Sequence, residues 1–548
     1  MDFQRPVLIL AIAAVSLTLL VKWHAFQQDH RPPQPALPTA ALDAPSVREP
    51  IAETGGDVPV PTTEKATPEV KSVGGLVTVE TDTLLVQIDT TGGDLVGAAL
   101  RDYPVSVDQP TEPFVMLTRT PEHLYIAQSG LIGANGTDTA DQRPRFTVTQ
   151  SRFVMPDQAD ALTVDLHWQD GKGITMTKRF TFTRGEHTVR VDYLIDNHSP
   201  APWQAHFYGQ IKRDTHEPVA QGGAIGIKPF LGAATSTLEH HFQKMTFKNM
   251  AEKPLRETRE GGWIAMVQHY FVSAWIADPH AENQFYTTHQ PQTDTYLLGF
   301  TGPAVSVAPG TQGQLSAQFY VGPKDVHKLE ALAPYLDLTV DYGWLWMIAK
   351  VLFWLVHSIH GLVGNWGWAI IGLTVVVKAV FLWPSTLSYR SMAVMKKLAP
   401  RMQELKEQHG ENPTRLREEM FKLYQKEKAN PMLGCVPMLL QMPVFIALYW
   451  TLMESVELRQ APFVGWIVDL SVQDPYFLLP ILMGVSMWVQ QKLNPPAADP
   501  MQQKIFQMMP LVFTGMFLFF PSGLVLYMLV NNLISMTHQW WVQRELAR

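Results

Sequence analysis

The first half of the chain alternates hydrophobic and polar positions. From about residue 73 to 322 the alternation has a period of two, as in Leu84, Val86 and Ile88. The same spacing recurs at 162–168, 189–195 and 315–321. A period of two is typical of strands that bury one face, and Asp-Gly and Asp-Asn turn pairs separate the runs. Many short strands with little helix predict a large antiparallel β-sandwich.

From Trp344 onward, long apolar runs replace this alternation. Four of them lack Asp, Glu, Lys and Arg, and they are 432–453, 476–491, 505–520 and 524–541. Each is long enough for most of a bilayer at ~1.5 Å per residue. The run 366–384 contains one charge, Lys378, and a short apolar run lies at 7–21. The pattern predicts six membrane spans, which are a five-helix core and an N-terminal anchor.

The N-terminal run and the residues after it differ sharply in composition. The run at 7–21 also fits the apolar region of a signal peptide, but no good small-residue cleavage site follows it. We therefore predict an uncleaved anchor with its N-terminus in the cytoplasm. The next segment, 27–72, is rich in proline and poor in aromatic residues, which predicts a disordered linker.

Charge decides the orientation of the spans. The stretch 386–430 contains ten Lys or Arg residues, whereas 454–475 contains only Arg459 and four acidic residues. The positive-inside rule places the first stretch in the cytoplasm and the second outside, together with the β-sandwich. If 340–364 also crossed the membrane, the basic stretch would lie outside. We therefore predict an interfacial amphipathic helix there.

The basic stretch itself predicts two helices that project from the membrane. Apolar residues repeat at three to four positions, and Asn412 and Pro413 supply an N-cap and a first helical residue. We call this pair the basic hairpin. Its charges fit either a solvated face attracted to anionic lipid or a docking arm for a ribosome, RNA or a targeting factor.

The predicted domains are 1–26 anchor, 27–72 linker, 73–335 β-sandwich, 340–364 interfacial helix and 365–548 five-helix core, including the hairpin 386–430.

Lys378 is the candidate functional residue of the core. A translocon-type scale assigns a mid-helix Lys about +2.5 to +3.5 kcal/mol, so the side chain is expected to face protein or water. Thr374 and Ser385, four residues before and seven after, are expected on the same helix face. Other polar residues inside the runs are Gln441, Ser486, Thr514, Asn531, Asn532 and Ser535. Each alone fits interhelical hydrogen bonding, but together with Lys378 they predict a hydrophilic cavity.

Composition argues against several other kinds of site. The single cysteine, Cys435, excludes an internal disulfide, and no GxxxxGK[ST] loop is present. His216-Glu217 and His240-His241 lack metal-ligand spacing with a third partner, so we predict surface histidines, no metal and no cofactor. The formal net charge of −7 indicates little, because acidic and basic residues are segregated.

Two other functional classes are compatible with a charge inside membrane helices. A solute or ion transporter usually shows inverted repeats or broken helices, and no internal repeat is recognisable here. A membrane-anchored carbohydrate-active enzyme would use the helices only as an anchor, for which five additional spans are excessive.

Several long runs carry a resemblance to a known family. They are NPMLGCVPMLLQMPVFIALYW (430–450), SVELRQAPF (455–463), DPYFLLPILMG (474–484), DPMQQK (499–504), FPSGLVLY (520–527) and, in the predicted sandwich, GGWIAMVQHYF (261–271). In these runs the chain resembles the YidC family of membrane protein insertases, in its Gram-negative bacterial form. The resemblance covers nearly the whole chain, from the anchor to the five-helix core.

The resemblance implies a membrane insertase and chaperone rather than an enzyme. Such a protein inserts and helps fold inner-membrane proteins, alone or with the Sec translocon, through a hydrophilic groove open to the cytoplasm and to lipid. The groove residues implied are Lys378, Thr374, Gln441, Tyr527, Met528, Asn531 and Asn532. Relatives often carry Arg where this chain has Lys378, and a second aromatic residue where it has Met528.

The resemblance also extends to the rest of the molecule. The sandwich would be periplasmic, with the β-supersandwich fold shared with sugar mutarotases. The expected partners are nascent membrane proteins, the Sec translocon and anionic lipids, with a ribosome or targeting factor received by the basic hairpin. The expected location is the bacterial inner membrane, with both termini in the cytoplasm.

Overall fold

The structure is a computed structural model that describes residues 75–139, 142–216, 229–237, 241–409, 412–427, 436–494 and 500–547. The predicted anchor (1–26) and linker (27–72) lie outside the described residues. Cys435, Glu217 and His240 also lie outside them.

The first half of the described chain consists almost entirely of strands, which we call the β-domain. The strands are β1 Leu76–Glu80, β2 Leu84–Asp89, β3 Asp94–Ser106, β4 Gln109–Arg119, β5 Leu124–Ile132, β6 Arg152–Val154, β7 Ala161–Gln169, β8 Ile174–Thr183, β9 Thr188–Asn197, β10 Trp203–Arg213, β11 Gly232–Thr235, β12 Gln243–Met245, β13 Arg256–Glu260, β14 Trp263–Val267, β15 Phe271–Ile276, β16 Glu282–Gln290, β17 Thr295–Val307 and β18 Thr311–Pro323. The alternation predicted for β2 is confirmed, because Leu84, Val86 and Ile88 are buried and the residues between them are not.

The strands form two sheets. One sheet has the order β13-β16-β17-β10-β5-β4-β3-β2-β1-β6, and the other has the order β12-β11-β14-β15-β18-β9-β8-β7. The described pairings are antiparallel except for β1 with β6. Antiparallel neighbours joined by short turns agree with the turn pairs seen in the sequence.

Large aromatic side chains join the two sheets. Phe207 of β10 packs against Tyr193 of β9 and Trp275 of β15, with ring centroids 5.7 and 6.2 Å apart. The Trp275 indole nitrogen donates to the Gln210 carbonyl at 3.1 Å, which satisfies its polar group inside the core. Because these partners come from opposite sheets, the two sheets pack face to face as a sandwich.

The second half of the described chain is helical. The helices, numbered to include two short ones of the first half, are α1 Phe247–Glu252, α2 Val326–Leu332, α3 Trp346–Val363, α4 Trp366–Val380, α5 Leu382–His409, α6 Pro413–Lys426, α7 Val436–Glu454, α8 Leu478–Leu493, α9 Pro500–Phe517 and α10 Ser522–Ala547. The basic hairpin is formed by α5 and α6, as predicted, and the Asn412 side chain accepts from the Arg415 amide at the start of α6.

The run 366–384 is not one helix. It breaks at Phe381, where α4 and α5 meet at a bend of 68°. Pro384 explains the break, because its ring would clash with the carbonyl of Val380 in a continuous helix and it offers no amide hydrogen. The expectation that Ser385 shares a helix face with Lys378 is therefore wrong, since Ser385 belongs to α5.

Length and composition single out few spans within the described residues. The segment Gly343–Val363, which contains α3, is the one continuous helix that is long and apolar enough to cross a membrane. The bent pair α4 and α5 passes the same test when it is taken together, and Leu439–Glu454 is a shorter apolar helix. The segment that passes alone is the one for which the sequence predicts an interfacial position.

Candidate functional site

Lys378 lies in the last turn of α4, immediately before the bend. Its ammonium group donates to Gln441 Oε1 at 3.0 Å and to Ser535 Oγ at 2.7 Å. The side chain is partly buried, and it forms no ion pair with any residue that the structure describes. Among the described residues, the positive charge is therefore solvated by neutral oxygens and has no acidic partner.

Gln441 links three helices at this point. Its side-chain amide nitrogen, on α7, donates to Asn531 Oδ1 and to the Tyr527 hydroxyl, the latter at 3.4 Å. Both acceptors lie on α10 and are buried, with Tyr527 fully so. Because the same amide binds Lys378 of α4 through its oxygen, all polar atoms of Gln441 are used. We call Lys378, Gln441, Tyr527, Asn531 and Ser535 the polar cluster.

The members of the polar cluster on α10 follow the helical repeat. Tyr527, Asn531 and Ser535 are four residues apart and therefore lie on one face of the helix. Ser535 Oγ donates to the Asn531 carbonyl at 2.7 Å, which leaves its lone pairs directed at Lys378. His538 continues the stripe, so the spacing 527, 531, 535, 538 is a sequence signal for this face.

The C-terminal end of the stripe makes contacts that the sequence did not predict. His538 Nε2 lies 2.9 Å from the Thr386 hydroxyl at the start of α5, and its ring packs edge-on against Tyr389 at 5.1 Å. Polar contacts therefore continue from the polar cluster past the bend between α4 and α5. The period of α10 could have indicated His538, but nothing in sequence pairs it with Thr386.

Three expected groove residues stand apart from the polar cluster. Thr374 is 1% exposed, and its hydroxyl donates to the Ile370 carbonyl of its own helix at 2.7 Å. Asn532 donates to Ser486 Oγ of α8 at 3.3 Å, on another face of α10. Met528 is partly buried and packs against the apolar core of the helical part. Of the seven expected residues, Lys378, Gln441, Tyr527 and Asn531 are thus brought into contact.

Apolar side chains surround this polar interior on the outside of the helices. Examples are Val380, Trp383, Leu439, Leu511 and Val512, each at least 64% exposed. Exposed apolar side chains of this kind are expected where helices face lipid. The helical part therefore combines an apolar exterior with a partly buried cationic centre.

The β-domain contains a network of buried charged groups around Arg143 and Lys178. Arg143 forms ion pairs with Asp94 at 2.9 Å and with Asp138 at 2.5 Å. Lys178 is fully buried and donates to two backbone carbonyls at 2.9 and 3.0 Å. Burial lowers the pKa of Lys178 to about 7, because the charged form loses its hydration. We interpret this network as structural and not as a functional site.

The histidines of the β-domain do not form a metal site within the described residues. The rings of His216 and His123 lie 3.5 Å apart between centroids at a tilt of 33°, and the ring of His241 stacks on Tyr335 at 4.1 Å. In the part of the chain that the structure describes, no group of three or more His, Cys, Asp or Glu side chains could hold a metal ion.

The basic hairpin presents its charges to solvent. Its two helices are joined by an ion pair between Arg401 and Glu427 at 3.0 Å and by the Tyr424 hydroxyl against the Met402 sulfur at 3.8 Å. Lys422 pairs with Glu419 along α6 at 2.8 Å. Exposed pairs of this kind contribute only about 0–1 kcal/mol each to stability.

Two family models match the chain, and the boundary between them falls within α3. The model of the YidC periplasmic domain matches residues 76–355, which contain the β-domain. The model described as the 60Kd inner membrane protein matches residues 358–548, which contain the helices from α4 onward. The two matches together cover nearly all of the described chain.

Relatives match the chain over its full length. The membrane protein insertase YidC of Cellvibrio japonicus is 50% identical over 557 residues, covering 100% of this chain and 99% of the relative. That of Stutzerimonas stutzeri is 46% identical over 561 residues, with the same two coverages. A crystal structure of an active YidC insertase aligns with 17% identity over 85% of this chain and 92% of that chain, with a TM-score of 0.39. The chain belongs to the YidC family of membrane protein insertases, with a large β-rich periplasmic domain and a helical inner-membrane part.

Proposed function

We propose that this protein is a membrane protein insertase whose nascent substrates pass along a hydrophilic groove between α4, α7 and α10. The proposal assigns the substrate-facing charge to Lys378 and the polar walls to Gln441, Tyr527 and Asn531. Thr374, Met528 and Asn532 complete the proposed walls farther from the charge. The groove would open to the cytoplasm and to lipid and be closed outward.

One observation carries this proposal. The Lys378 ammonium group is held by the neutral oxygens of Gln441 and Ser535, without a carboxylate among its described partners. A structural Lys inside apolar helices would be expected in an ion pair, because an unpaired charge is expensive there. An uncompensated charge can instead attract an acidic residue of a substrate, and the attraction is stronger than in water because the local dielectric is lower.

Insertion through such a groove needs no covalent chemistry. A polar flank that crosses hydrocarbon leaves backbone groups unsatisfied at several kcal/mol each. Water and side-chain amides in the groove would shorten that path, and the apolar segment of the substrate would then partition sideways into lipid. The membrane potential adds about 2.3 kcal/mol per charge per 100 mV, in the favourable direction for acidic tails that move outward.

The proposed topology has six spans, with both termini in the cytoplasm and the β-domain in the periplasm. In this topology α3 lies flat in the outer interface. Two contacts support the flat position: the Thr451 hydroxyl donates to the Ala349 carbonyl near the start of α3, and Asn365, just after its end, donates to the Pro462 carbonyl. Both ends of α3 therefore adjoin the segment 451–462, which contains the first part of the acidic stretch 454–475 assigned to the outside.

The remaining parts of the proposal concern partners and domains. We assign residues 1–26 to an anchor, 27–72 to a linker, 73–335 to the periplasmic domain, 340–364 to the interfacial helix and 365–548 to the core. The basic hairpin would receive a ribosome or a targeting factor and touch anionic lipid. The protein would act alone or with the Sec translocon. The two packed sheets are compatible with a β-supersandwich.

Reconstitution tests the function directly. The full chain in proteoliposomes should insert a short single-span substrate with an acidic tail, measured by protease protection, above the level of protein-free liposomes. The same proteoliposomes should show no uptake of small solutes. Solute uptake without substrate insertion would identify a transporter and contradict the proposal.

Crosslinking tests the path of the substrate. A photoreactive residue in place of Gln441 should crosslink to a ribosome-stalled nascent membrane protein. The same probe at exposed Leu511 of α9 is the matched control and should crosslink to lipid instead. Equal crosslinking from both positions would mean that the substrate does not enter the proposed groove.

A further inference from the structure

The outer end of α7 is tied to the β-domain by a buried ion pair. Lys324 follows directly after β18, and its ammonium group binds the carboxylate of Glu454, the last residue of α7. The two side chains are 2% and 4% exposed. Among the ion pairs of the described residues, this one buries both partners most completely.

Other contacts hold the same end of α7. The ring of His269, in the turn between β14 and β15, donates from Nε2 to the Met453 carbonyl at 2.8 Å. Arg459, in the loop after α7, donates to the Pro104 carbonyl at 2.6 Å, and its guanidinium lies 5.5 Å from the centre of the Phe271 ring. Val456 is 3% exposed and belongs to the hydrophobic core of the β-domain. The outer end of α7 is therefore fixed by the β-domain.

The other half of α7 carries Gln441. Within the described residues, the side-chain hydrogen bonds from α7 to α4 and α10 all involve Gln441. Along its length α7 packs mainly against α3. Packing against α4 and α10 therefore contributes little to the position of this helix, and the contacts at its outer end gain importance.

We infer that Lys324 and Glu454 are positioning residues for the groove, because they set the place of α7 and thereby of Gln441 relative to Lys378. The inference rests on the proposed function of the polar cluster. Gln441 and Glu454 are 13 residues apart on one helix, about 20 Å at 1.5 Å per residue. A helix of this length transmits a displacement of one end to the other, as in helix shifts at interfaces.

Removal of one partner leaves the other charge buried without compensation. Such a charge is strongly unfavourable in a low-dielectric interior, so the group becomes neutral by gaining or losing a proton, moves toward water or draws water in. Each of these responses removes the electrostatic attraction that holds the end of α7 against the β-domain. Exchange of the two charges preserves the attraction and should keep the helix in place, which distinguishes a positioning role from a need for one particular side chain.

The test uses the full chain with Cys435 replaced by Ala. Spin labels at Leu439 of α7 and Leu533 of α10, which are 65% and 47% exposed, report the distance between the two groove walls. We compare Lys324→Met, Glu454→Gln and the double exchange Lys324→Glu/Glu454→Lys. The matched control is Lys248→Met, because Lys248 forms an exposed pair with Glu252 in the same domain. Trypsin resistance of the β-domain verifies that each variant is folded.

Each single change should shift or broaden the label distance and lower substrate insertion about fivefold or more, within the usual range of coupling between sites. The double exchange should restore most of the parent label distance and of the insertion activity, and Lys248→Met should change neither quantity. An unchanged distance in the folded single variants overturns the inference. So does a changed distance with unaltered insertion. A failure of the proposed function gives a different result. In that case the unmodified chain does not insert substrate, although the distance between its labels can still be measured.

Discussion

The side chains of Lys378 and Gln441 are hydrogen-bonded at 3.0 Å, although 63 residues, including the whole basic hairpin, separate them in the chain. This contact places a cation of α4 against an amide of α7 that also binds α10. Three helices that are distant in sequence thereby share one polar centre.

Replacement of Lys378 separates charge from geometry. Lys378→Arg should retain insertion, because a guanidinium keeps the charge and can reach the same neutral oxygens. Lys378→Met should lower insertion of a single-span substrate with an acidic tail roughly tenfold, since hydrogen bonds to charged groups contribute about 1.5–3 kcal/mol. Protease protection at equal protein level measures both. Equal insertion by the Met variant would remove the charge from the mechanism.

Replacement of Gln441 tests whether the charge must stay uncompensated. Gln441→Glu would place a carboxylate beside Lys378 and form an internal ion pair. Insertion of acidic-tailed substrates should fall as in Lys378→Met, while substrates with neutral tails should be affected less. The control is Glu418→Gln on the exposed hairpin, which should leave the ratio between the two substrates unaltered. An unchanged ratio in Gln441→Glu would show that Lys378 does not select acidic tails.

The orientation of α3 can be decided by labelling from each side of the membrane. Trp344 and Leu362, near its two ends, are 76% and 88% exposed. If α3 lies flat in the outer interface, cysteines at both positions in a background without Cys435 should react with an impermeant maleimide added from the periplasmic side. Labelling of one position from each side would mean that α3 spans the membrane, and the proposed topology would need revision.

Acid should weaken the β-domain through His187. This residue is 3% exposed, and within the described chain neither ring nitrogen has a hydrogen-bond partner. Burial lowers the pKa of His187 to about 4, so the folded state holds it neutral. The unfolded state, with a His pKa near 6.5, binds more protons between these values. The free energy of unfolding should therefore fall as pH falls from about 6.5 to 4, by up to about 3 kcal/mol.

The variant His187→Phe separates this effect from other titrations. A phenyl ring retains the aromatic contacts with Tyr103 and Tyr320 but takes up no proton, so the decline with acid should become shallower. Part of the decline should remain in this variant, because His269 is also buried, which lowers its pKa to about 3. Thermal unfolding of the full chain in detergent, followed by near-ultraviolet circular dichroism at pH 7 and 4.5, measures the slope. The exposed control His280→Phe should match the parent, and an equal slope in His187→Phe would contradict the assignment.

The basic hairpin should bind ribosomes through charge. Replacement of Lys396, Lys397, Lys406 and Lys426 by Gln should lower co-sedimentation of ribosomes with proteoliposomes, and binding of the parent should weaken as salt rises. The control replaces Lys172, Lys248 and Lys253 of the β-domain, which should not alter binding. If the hairpin variant binds ribosomes as well as the parent in liposomes of neutral lipid, the hairpin charges are not a docking site.

Local sequence patterns were sufficient to predict most of the strands and helices. The alternation of Leu84, Val86 and Ile88 predicts a strand because its period matches the pleat, and Asn412 with Pro413 predicts the start of α6 because both act within one turn. The bend at Phe381 was missed although its cause, Pro384, is visible in the sequence. The apolar run 366–384 suggested one continuous helix, although proline inside a helix usually kinks or breaks it.

The sequence by itself determined the two-part architecture and pointed to Lys378, because hydrophobic periodicity and a lone charge in an apolar run are local properties of the chain. The tertiary structure decided which polar residues reach that charge, bringing Gln441 and Ser535 to it and leaving Thr374 bonded to its own helix. It also decided that Lys324 meets Glu454. Such contacts depend on how distant helices and sheets pack, and no spacing along the chain encodes that packing.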